Sequence, residues 1–224
     1  WRVVGPVEMV KGNPYVGEHT PRLTAPAGMT HGGLGLVAGK QYEGRIILAG
    51  CPTAGPVEVT LVWGEGDKNR QTISIKKVGG DFVKHPISFT AGADTHEGRL
   101  EIAVKGKGCV SVGAVSLMPS DNVHGMRPDT LALLKELNAP IYRWPGGNFV
   151  SGYNWMDGIG DPDRRPPRKN PAWKGVEHND FGMDEYMVFC RELGTETYVV
   201  VNSGLGGVED RKSTRLNSSH EDLS

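Results

Sequence analysis

The chain has 224 residues, of which 38% are hydrophobic and 23% charged, and its net charge is −1. This composition is typical of a folded globular protein, and the near-neutral charge argues against a broad nucleic-acid surface. No apolar run approaches the ~20 residues of a membrane span. The sequence opens at Trp1 without a start methionine or signal peptide. We therefore expect residues to be missing before it, and we leave the location open, with a secreted or periplasmic one preferred.

The three cysteines, Cys51, Cys109 and Cys190, are widely spaced along the chain. They form no CxxC pair, which argues against a zinc site. One disulfide is compatible with the sequence, but three buried thiols are the preferred interpretation. We predict neither a bound metal nor another cofactor.

Residues 1–118 are predicted to form a β-sandwich. Apolar residues alternate with polar or small ones at 57–63, 73–75 and 100–104, which is the period of strands with one buried face. Gly-rich segments separate these strands, and a strand at 110–117 would complete the set. Several short strands with such breaks favour a sandwich.

After residue 119 the pattern changes to helices alternating with short apolar strands. The predicted bounds are 128–137 and 184–193 for the helices, with Gly194 ending the second, and 141–144 and 197–202 for the strands. This alternation is typical of a parallel α/β fold. A (β/α)8 TIM barrel needs ~250 residues, so residues 119–209 would form only the first part of a truncated barrel.

Residues 210–224 do not continue this pattern, because they are polar and show neither helical nor strand periodicity. Asp210–His220 match, codon by codon, the translation of a common short-read sequencing adapter, and residues 221–224 fit a sample index read into that adapter. We therefore interpret residues 210–224 as an artefact and exclude them from the fold prediction.

The most specific motif is RWPGGNFVSGYNW, Arg143–Trp155. It begins on a predicted strand and continues into the following loop, which in a barrel is the end that carries the active site. Arg143 carries a planar guanidinium, which can form two parallel hydrogen bonds with a carboxylate. Asn148 offers a hydrogen-bond donor and an acceptor to sugar hydroxyls. The alternative for Arg143 is a buried salt bridge that only supports the fold. For Tyr153 and Trp155 we prefer core packing to ligand contact.

A basic, proline-rich arm follows at residues 164–173. Its Trp173 has two open interpretations, stacking on a sugar ring or pinning the arm to the barrel. The basic cluster is short and isolated, which favours a solvated loop over a nucleic-acid site. The segment at 177–180 is a weak metal or acid/base motif, and we prefer a hydrogen-bonded loop in which Asn179 and Asp180 cap toward the next helix.

Together these segments resemble glycoside hydrolase family 51, the α-L-arabinofuranosidases. The resemblance covers about residues 126–210 and rests on RWPGGNFVSGYNW, DGIG, RRPPRKNPAW, HNDFGMDEYM and VNSGLGG. It implies that Arg143 holds the nucleophile carboxylate, that Asn148 contacts the sugar in the first subsite and that Trp173 lies at the substrate entrance. The sandwich resembles a carbohydrate-binding module.

The resemblance further implies retaining hydrolysis of terminal arabinofuranosyl groups by two glutamates ~5 Å apart. In the family both glutamates follow the equivalent of Asp210, so we expect no catalytic residue in this chain and predict that it is inactive alone. The sugar-binding glutamate of the family's first barrel strand has no visible counterpart. The expected partner is an arabinose-containing polysaccharide or oligosaccharide, with no nucleic acid and no membrane, and the parent enzyme is a candidate homo-oligomer.

Two alternatives stay open. The first is a non-catalytic carbohydrate-binding protein in which the sandwich does the binding, although such a protein would not need the RWPGGN strand end. The second is a barrel glycosidase that acts on another sugar, such as a β-xyloside.

Overall fold

The computed structural model describes residues 1–170 and 172–202. The chain divides into two compact units, residues 1–122 and residues 123–224. In the part of the chain that the structure describes, no helix has both the length and the apolar character needed to cross a membrane. The expected artefact at residues 210–224 lies outside the described residues.

The first unit is built of antiparallel strands in two five-stranded sheets. The strands are β1 (Arg2–Val4), β2 (Val7–Val10), β3 (Thr20–Thr24), β4 (Ala27–Leu36), β5 (Gln41–Gly50), β6 (Gly55–Val62), β7 (Arg70–Ile75), β8 (Val83–Thr90), β9 (Thr95–Lys107) and β10 (Cys109–Pro119). One sheet has the order β1-β4-β9-β6-β7 and the other the order β2-β3-β10-β5-β8. Every predicted alternating segment therefore lies on an observed strand, except that Trp63 follows the end of β6.

A single hydrophobic core fills the space between the two sheets. On β6 the alternate residues Val57, Val59 and Leu61 are fully buried, and each stands opposite an inward-facing residue of β9. Leu48 of β5 and Phe89 of β8 enter the same core from the other sheet. Burying each such side chain contributes about 1.5–3 kcal/mol, which explains why the alternation fixes the register. The first unit is a β-sandwich.

The second unit contains helices, short strands and a long loop. Its elements are α1 (Pro128–Leu137), β11 (Ile141–Trp144), β12 (Arg168–Lys169), β13 (Val176–Glu177), α2 (Met183–Leu193) and β14 (Glu196–Val199). β11 and β14 pair in parallel, and β12 and β13 form a small antiparallel pair within the loop. The described part of this unit is thus α/β in character.

Most of the predicted bounds in this unit are confirmed, but the last strand is shorter than predicted. The predicted strand at 197–202 ends at Val199, and only the Val200 N–H continues the ladder, donating to the Trp144 carbonyl at 3.0 Å. β11 itself ends at Trp144 because Pro145 follows and has no N–H to donate. The length of the strand is therefore set by its partner and not by its own apolar run.

Both helices end at left-handed residues, Asn138 after α1 (φ 47°) and Gly194 after α2 (φ 68°), the second as predicted. The apolar face of α1 is covered unevenly. Leu131 is 5% exposed, whereas Leu137 is 66% exposed. The described residues therefore bury one turn of the predicted apolar face and leave the last turn open.

Candidate substrate site at the end of the first parallel strand

The RWPGGN segment forms a sharp turn at the carboxyl end of β11. Trp144 and Pro145 are joined by a cis peptide bond, and Gly147 has a φ of +62°, a conformation that favours glycine. A Cβ placed on Gly146 would lie 3.2 Å from Nη2 of Arg143. The guanidinium therefore rests against the glycine backbone, and a larger residue at 146 would have to displace it.

The structure brings the three residues predicted to bind substrate to this one turn. Arg143, Asn148 and Trp173 are all exposed. The indole of Trp173 reaches the turn from the arm, since a Cβ on Gly147 would lie 3.5 Å from its Cζ2 atom. The Trp173 backbone N–H donates to Oδ1 of Asn170 at 2.9 Å, which fixes the arm locally. The guanidinium of Arg143, the amide of Asn148 and the indole of Trp173 are thus exposed at a turn whose two glycines carry no side chain.

Two of these residues have structural alternatives to ligand contact, a buried salt bridge for Arg143 and pinning of the arm for Trp173. In the described part of the chain the Arg143 side chain is exposed and Trp173 is 65% exposed. Both alternatives need barrel elements outside the described residues, so the roles of Arg143 and Trp173 stay predictions.

The buried cation of this loop is Arg165, which the sequence distinguishes in no way from its neighbours in the arm. It is 5% exposed and forms a bidentate ion pair with Glu185, at 2.8 Å and 2.9 Å. It also donates to the carbonyl oxygens of Gly160 and Asn179. One guanidinium therefore ties the middle of the loop, its end and the start of α2 together, with every donor group satisfied by an acceptor.

Glu185 links this ion pair to the start of α2. One of its carboxylate oxygens accepts the backbone N–H of Gly182, the residue that caps the helix, at 2.8 Å. Burial raises the pKa of Glu185, but the hydrogen bonds from Arg165 and from the Gly182 N–H outweigh it and bring the pKa below its ordinary value. Glu185 is therefore ionised at neutral pH and serves the fold.

The predicted hydrogen-bonded loop at 177–180 is confirmed, but the prediction that Asn179 and Asp180 cap α2 is wrong. Asn179 is 1% exposed and has a φ of 59°, and its side chain donates to the carbonyl oxygen of Pro166 at 2.7 Å. Asp180 is exposed, and the helix begins only after Gly182. Asn179 acts inside the loop, because tertiary packing buries its side chain against Pro166 of the arm.

An aromatic cluster supports the turn from below. The Trp144 ring stacks on Tyr186 of α2 with a centroid distance of 5.7 Å and meets Tyr153 edge-on at 5.4 Å. The Tyr186 hydroxyl donates to the Tyr142 carbonyl at 2.6 Å and accepts the Tyr198 N–H at 2.8 Å, so it bridges β11 and β14. Burial raises the pKa of Tyr186 to about 12, which keeps this proton in place at neutral pH.

Tyr153 and Trp155 are packing residues of the loop. Tyr153 is 7% exposed and contacts Phe149 with a centroid distance of 4.8 Å. Burial also raises the pKa of Tyr153 far above its ordinary value. Trp155 is half-buried at the start of the next 3-10 turn. Both positions agree with the core packing preferred from the sequence.

Three carboxylates in and beside the loop are engaged in structural contacts. Asp157 pairs with Arg168 at 2.8 Å, Glu177 accepts the Asn179 N–H at 3.1 Å, and Glu185 is held as described. Among residues 1–170 and 172–202, no group of three acidic, histidine or cysteine side chains is arranged to hold a metal ion. These acids hold the loop in shape around the exposed turn.

Comparison with known proteins assigns the segment that carries this turn. The sequence model described as "Alpha-L-arabinofuranosidase 1 domain" matches residues 133–223. This match covers less than half of the chain and shows what residues 133–223 are similar to. We refer to them below as the arabinofuranosidase segment.

Individual relatives match the same part of the chain. The probable alpha-L-arabinofuranosidase C of Aspergillus clavatus is 49% identical over 92 residues, 41% of this chain and 18% of that protein. An intracellular exo-alpha-(1->5)-L-arabinofuranosidase of Acetivibrio thermocellus is 46% identical over 86 residues, 38% of this chain and 17% of that protein. The alpha-L-arabinofuranosidase of Thermotoga maritima, solved as an arabinose complex, is 47% identical over 40% of this chain and 19% of that chain, with a TM-score of 0.39. The chain spans less than a fifth of each of these proteins.

Proposed function

We propose that the chain is part of a retaining α-L-arabinofuranosidase that releases terminal arabinofuranosyl groups from arabinan- or arabinoxylan-type glycans. The observation that carries the proposal is the exposed turn after β11, where the Arg143 guanidinium lies near Gly146, the Trp173 indole lies near Gly147 and the exposed Asn148 follows in the chain. A guanidinium binds a carboxylate, and an amide forms hydrogen bonds with sugar hydroxyls. An aromatic face packs against a sugar ring. The relatives of the arabinofuranosidase segment carry names that agree with this substrate class.

The proposal treats residues 119–209 as the first part of a (β/α)8 barrel. A strand, a helix and a second strand parallel to the first are the repeating unit of that fold, and active sites form at the carboxyl ends of its strands. Parallel sheets are covered on both faces, yet Ile141 and Tyr198 are 50% and 55% exposed. We therefore expect further barrel elements of the parent enzyme to cover them. Residues 1–118 would be a carbohydrate-binding-type domain, and 210–224 would not belong to the enzyme.

In the proposed mechanism one glutamate attacks the anomeric carbon while a second protonates the departing oxygen, and water then releases the sugar. Arg143 would orient the nucleophile and keep it ionised by its charge. We place both glutamates on later barrel strands, outside the described residues, because Glu177 and Glu185 are already engaged by Asn179 and Arg165. The 224-residue chain would accordingly not hydrolyse glycosides.

The first test is turnover of aryl glycosides by the complete protein, obtained by reading the source DNA onward from the codon for Glu209. We expect hydrolysis of an aryl α-L-arabinofuranoside at least about 100-fold faster than that of an aryl β-xyloside, because the hydroxyl-binding groups reject the wrong sugar. The 224-residue chain is expected to release none. A reversed preference would favour another barrel glycosidase. Arabinoxylan binding by the complete protein without hydrolysis would favour the carbohydrate-binding alternative.

Arg143→Ala in the complete protein is expected to lower kcat/KM for the arabinofuranoside by about 10²–10³-fold, because the nucleophile loses its charged partner. For Arg143→Lys we expect a kcat/KM between those of the parent and of Arg143→Ala, because lysine keeps the positive charge but lacks the planar guanidinium. The matched control is Arg168→Ala, which removes an exposed arginine of the loop that follows β11, and its kcat/KM should stay near that of the parent. Equal kcat/KM values for the parent and Arg143→Ala would contradict the assigned role.

A further inference from the structure

Cys51 and Cys109 stand opposite each other at the end of the β5–β10 ladder. The last paired residues of that ladder are Gly50 and Val110, and the cysteines come next on each strand. The Cys51 N–H donates to the Cys109 carbonyl at 3.0 Å, and the Cys109 N–H donates to the Cys51 sulfur at 2.6 Å. Directly opposed antiparallel residues have Cα atoms about 4.5–5.5 Å apart, inside the range of about 4.4–6.8 Å that a disulfide spans.

The two thiols differ in chemistry. The pKa of Cys51 is lowered, chiefly by the hydrogen bond from the Cys109 thiol, and Thr53 also donates to its sulfur. The pKa of Cys109 is raised, chiefly by burial. A Cβ on Gly108 would lie 2.8 Å from the Cys51 sulfur, so this glycine allows the sulfur to approach the hairpin backbone closely. Cys51 is thus suited to attack and Cys109 to resolve.

Both thiols are only half-buried, whereas Cys190 in the second unit is 2% exposed. The interpretation of three buried thiols is therefore wrong for Cys51 and Cys109. Their sequence separation of 58 residues is bridged by the folding of the sandwich, and a small oxidant has access to the pair.

We propose that Cys51 and Cys109 are a redox-sensitive pair that closes to a cross-strand disulfide on reaction with a small-molecule disulfide such as oxidised glutathione. The Cys51 thiolate attacks one glutathione sulfur, forms a mixed disulfide and releases one glutathione thiolate. Cys109 then gives up its proton and attacks the Cys51 sulfur, releasing the second glutathione. The pair loses two electrons and two protons, and the oxidant takes them up as two thiols.

The disulfide would stabilise the sandwich. It closes a loop that contains β6, β7, β8 and β9 and therefore includes strands of both sheets. Closing a loop of this length restricts the unfolded chain, so we expect the sandwich to melt about 5–15 °C higher after oxidation. Reduction should return the melting temperature to its starting value.

The test is intact-mass analysis of the 224-residue chain after incubation with oxidised glutathione, acid quenching and alkylation under denaturing conditions. The expected product has lost two hydrogens (about 2 Da) and carries one alkyl group, on Cys190. Non-reducing peptide mapping should join the peptides of Cys51 and Cys109, and the melting temperature should rise as stated. Three alkyl groups, a stable glutathione adduct on the parent chain, or a cross-link that includes Cys190 would overturn the proposal.

Single variants separate the steps. Cys190→Ser is the matched control and should oxidise and gain stability like the parent chain. Cys109→Ser should stop at the mixed disulfide on Cys51, with a mass increase of one glutathione and no rise in melting temperature. The same stabilisation in Cys51→Ser would contradict the assigned pair.

Discussion

Arg165→Met is expected to lower the free energy of unfolding of the second unit by about 2–4 kcal/mol, because it removes a buried guanidinium from a half-buried carboxylate and from two carbonyl oxygens. The Arg165 side chain is 2% exposed and that of Glu185 is 24% exposed, so water can replace the lost guanidinium only in part. The carbonyl oxygens of Gly160 and Asn179 would lose their donor in the same variant. Hydrogen exchange of peptides from the loop and from α2, followed by mass spectrometry, reports this loss locally.

The matched control is Arg168→Met. Arg168 also forms a bidentate ion pair, with Asp157 at 2.8 Å and 3.0 Å, but its side chain is 60% exposed. The Asp157 side chain is 14% exposed, but the exposed Arg168 leaves this pair open to water and it ties no backbone carbonyl, so hydrogen exchange in this variant should rise less than in Arg165→Met. Equal effects of Arg165→Met and Arg168→Met would show that burial does not decide the strength of these pairs.

Phe89→Ala is expected to lower the free energy of unfolding of the sandwich by about 3–5 kcal/mol, because it removes a large side chain from a packed core and leaves a cavity. Phe89 is 1% exposed and lies on β8, opposite Tyr42 of β5 in the ladder. Urea unfolding followed by circular dichroism measures the loss.

Two variants control for the position and for the size of this change. Val83→Ala alters an exposed residue of the same strand (48% exposed). Its free energy of unfolding should stay within about 0.5 kcal/mol of that of the parent chain. Phe89→Leu keeps much of the volume and should cost less than Phe89→Ala. A loss below about 1 kcal/mol for Phe89→Ala would mean that the core collapses around the gap.

Patterns of neighbouring residues in the sequence were sufficient to predict the strands and helices. The alternation at residues 57–61 identified β6 and its buried face, since every second side chain of a strand points to the same side. Gly194 identified the end of α2, because a residue without Cβ tolerates the left-handed conformation of a helix terminus. The RWPGGN motif likewise located the exposed turn after β11, where Gly147 has a φ of +62° that favours glycine and Gly146 lies close to the Arg143 guanidinium.

The sequence by itself determined the strands, the helices and the place of the candidate site, because each depends on neighbours within a few residues. It did not distinguish Arg165 from Arg168, because both are arginines of one arm and only packing against Gly160 and α2 buries the first. Nor did it pair Cys51 with Cys109, whose contact depends on the register of two strands far apart in the chain. Burial and long-range adjacency belong to the tertiary structure, because they are set by which surfaces exclude water together.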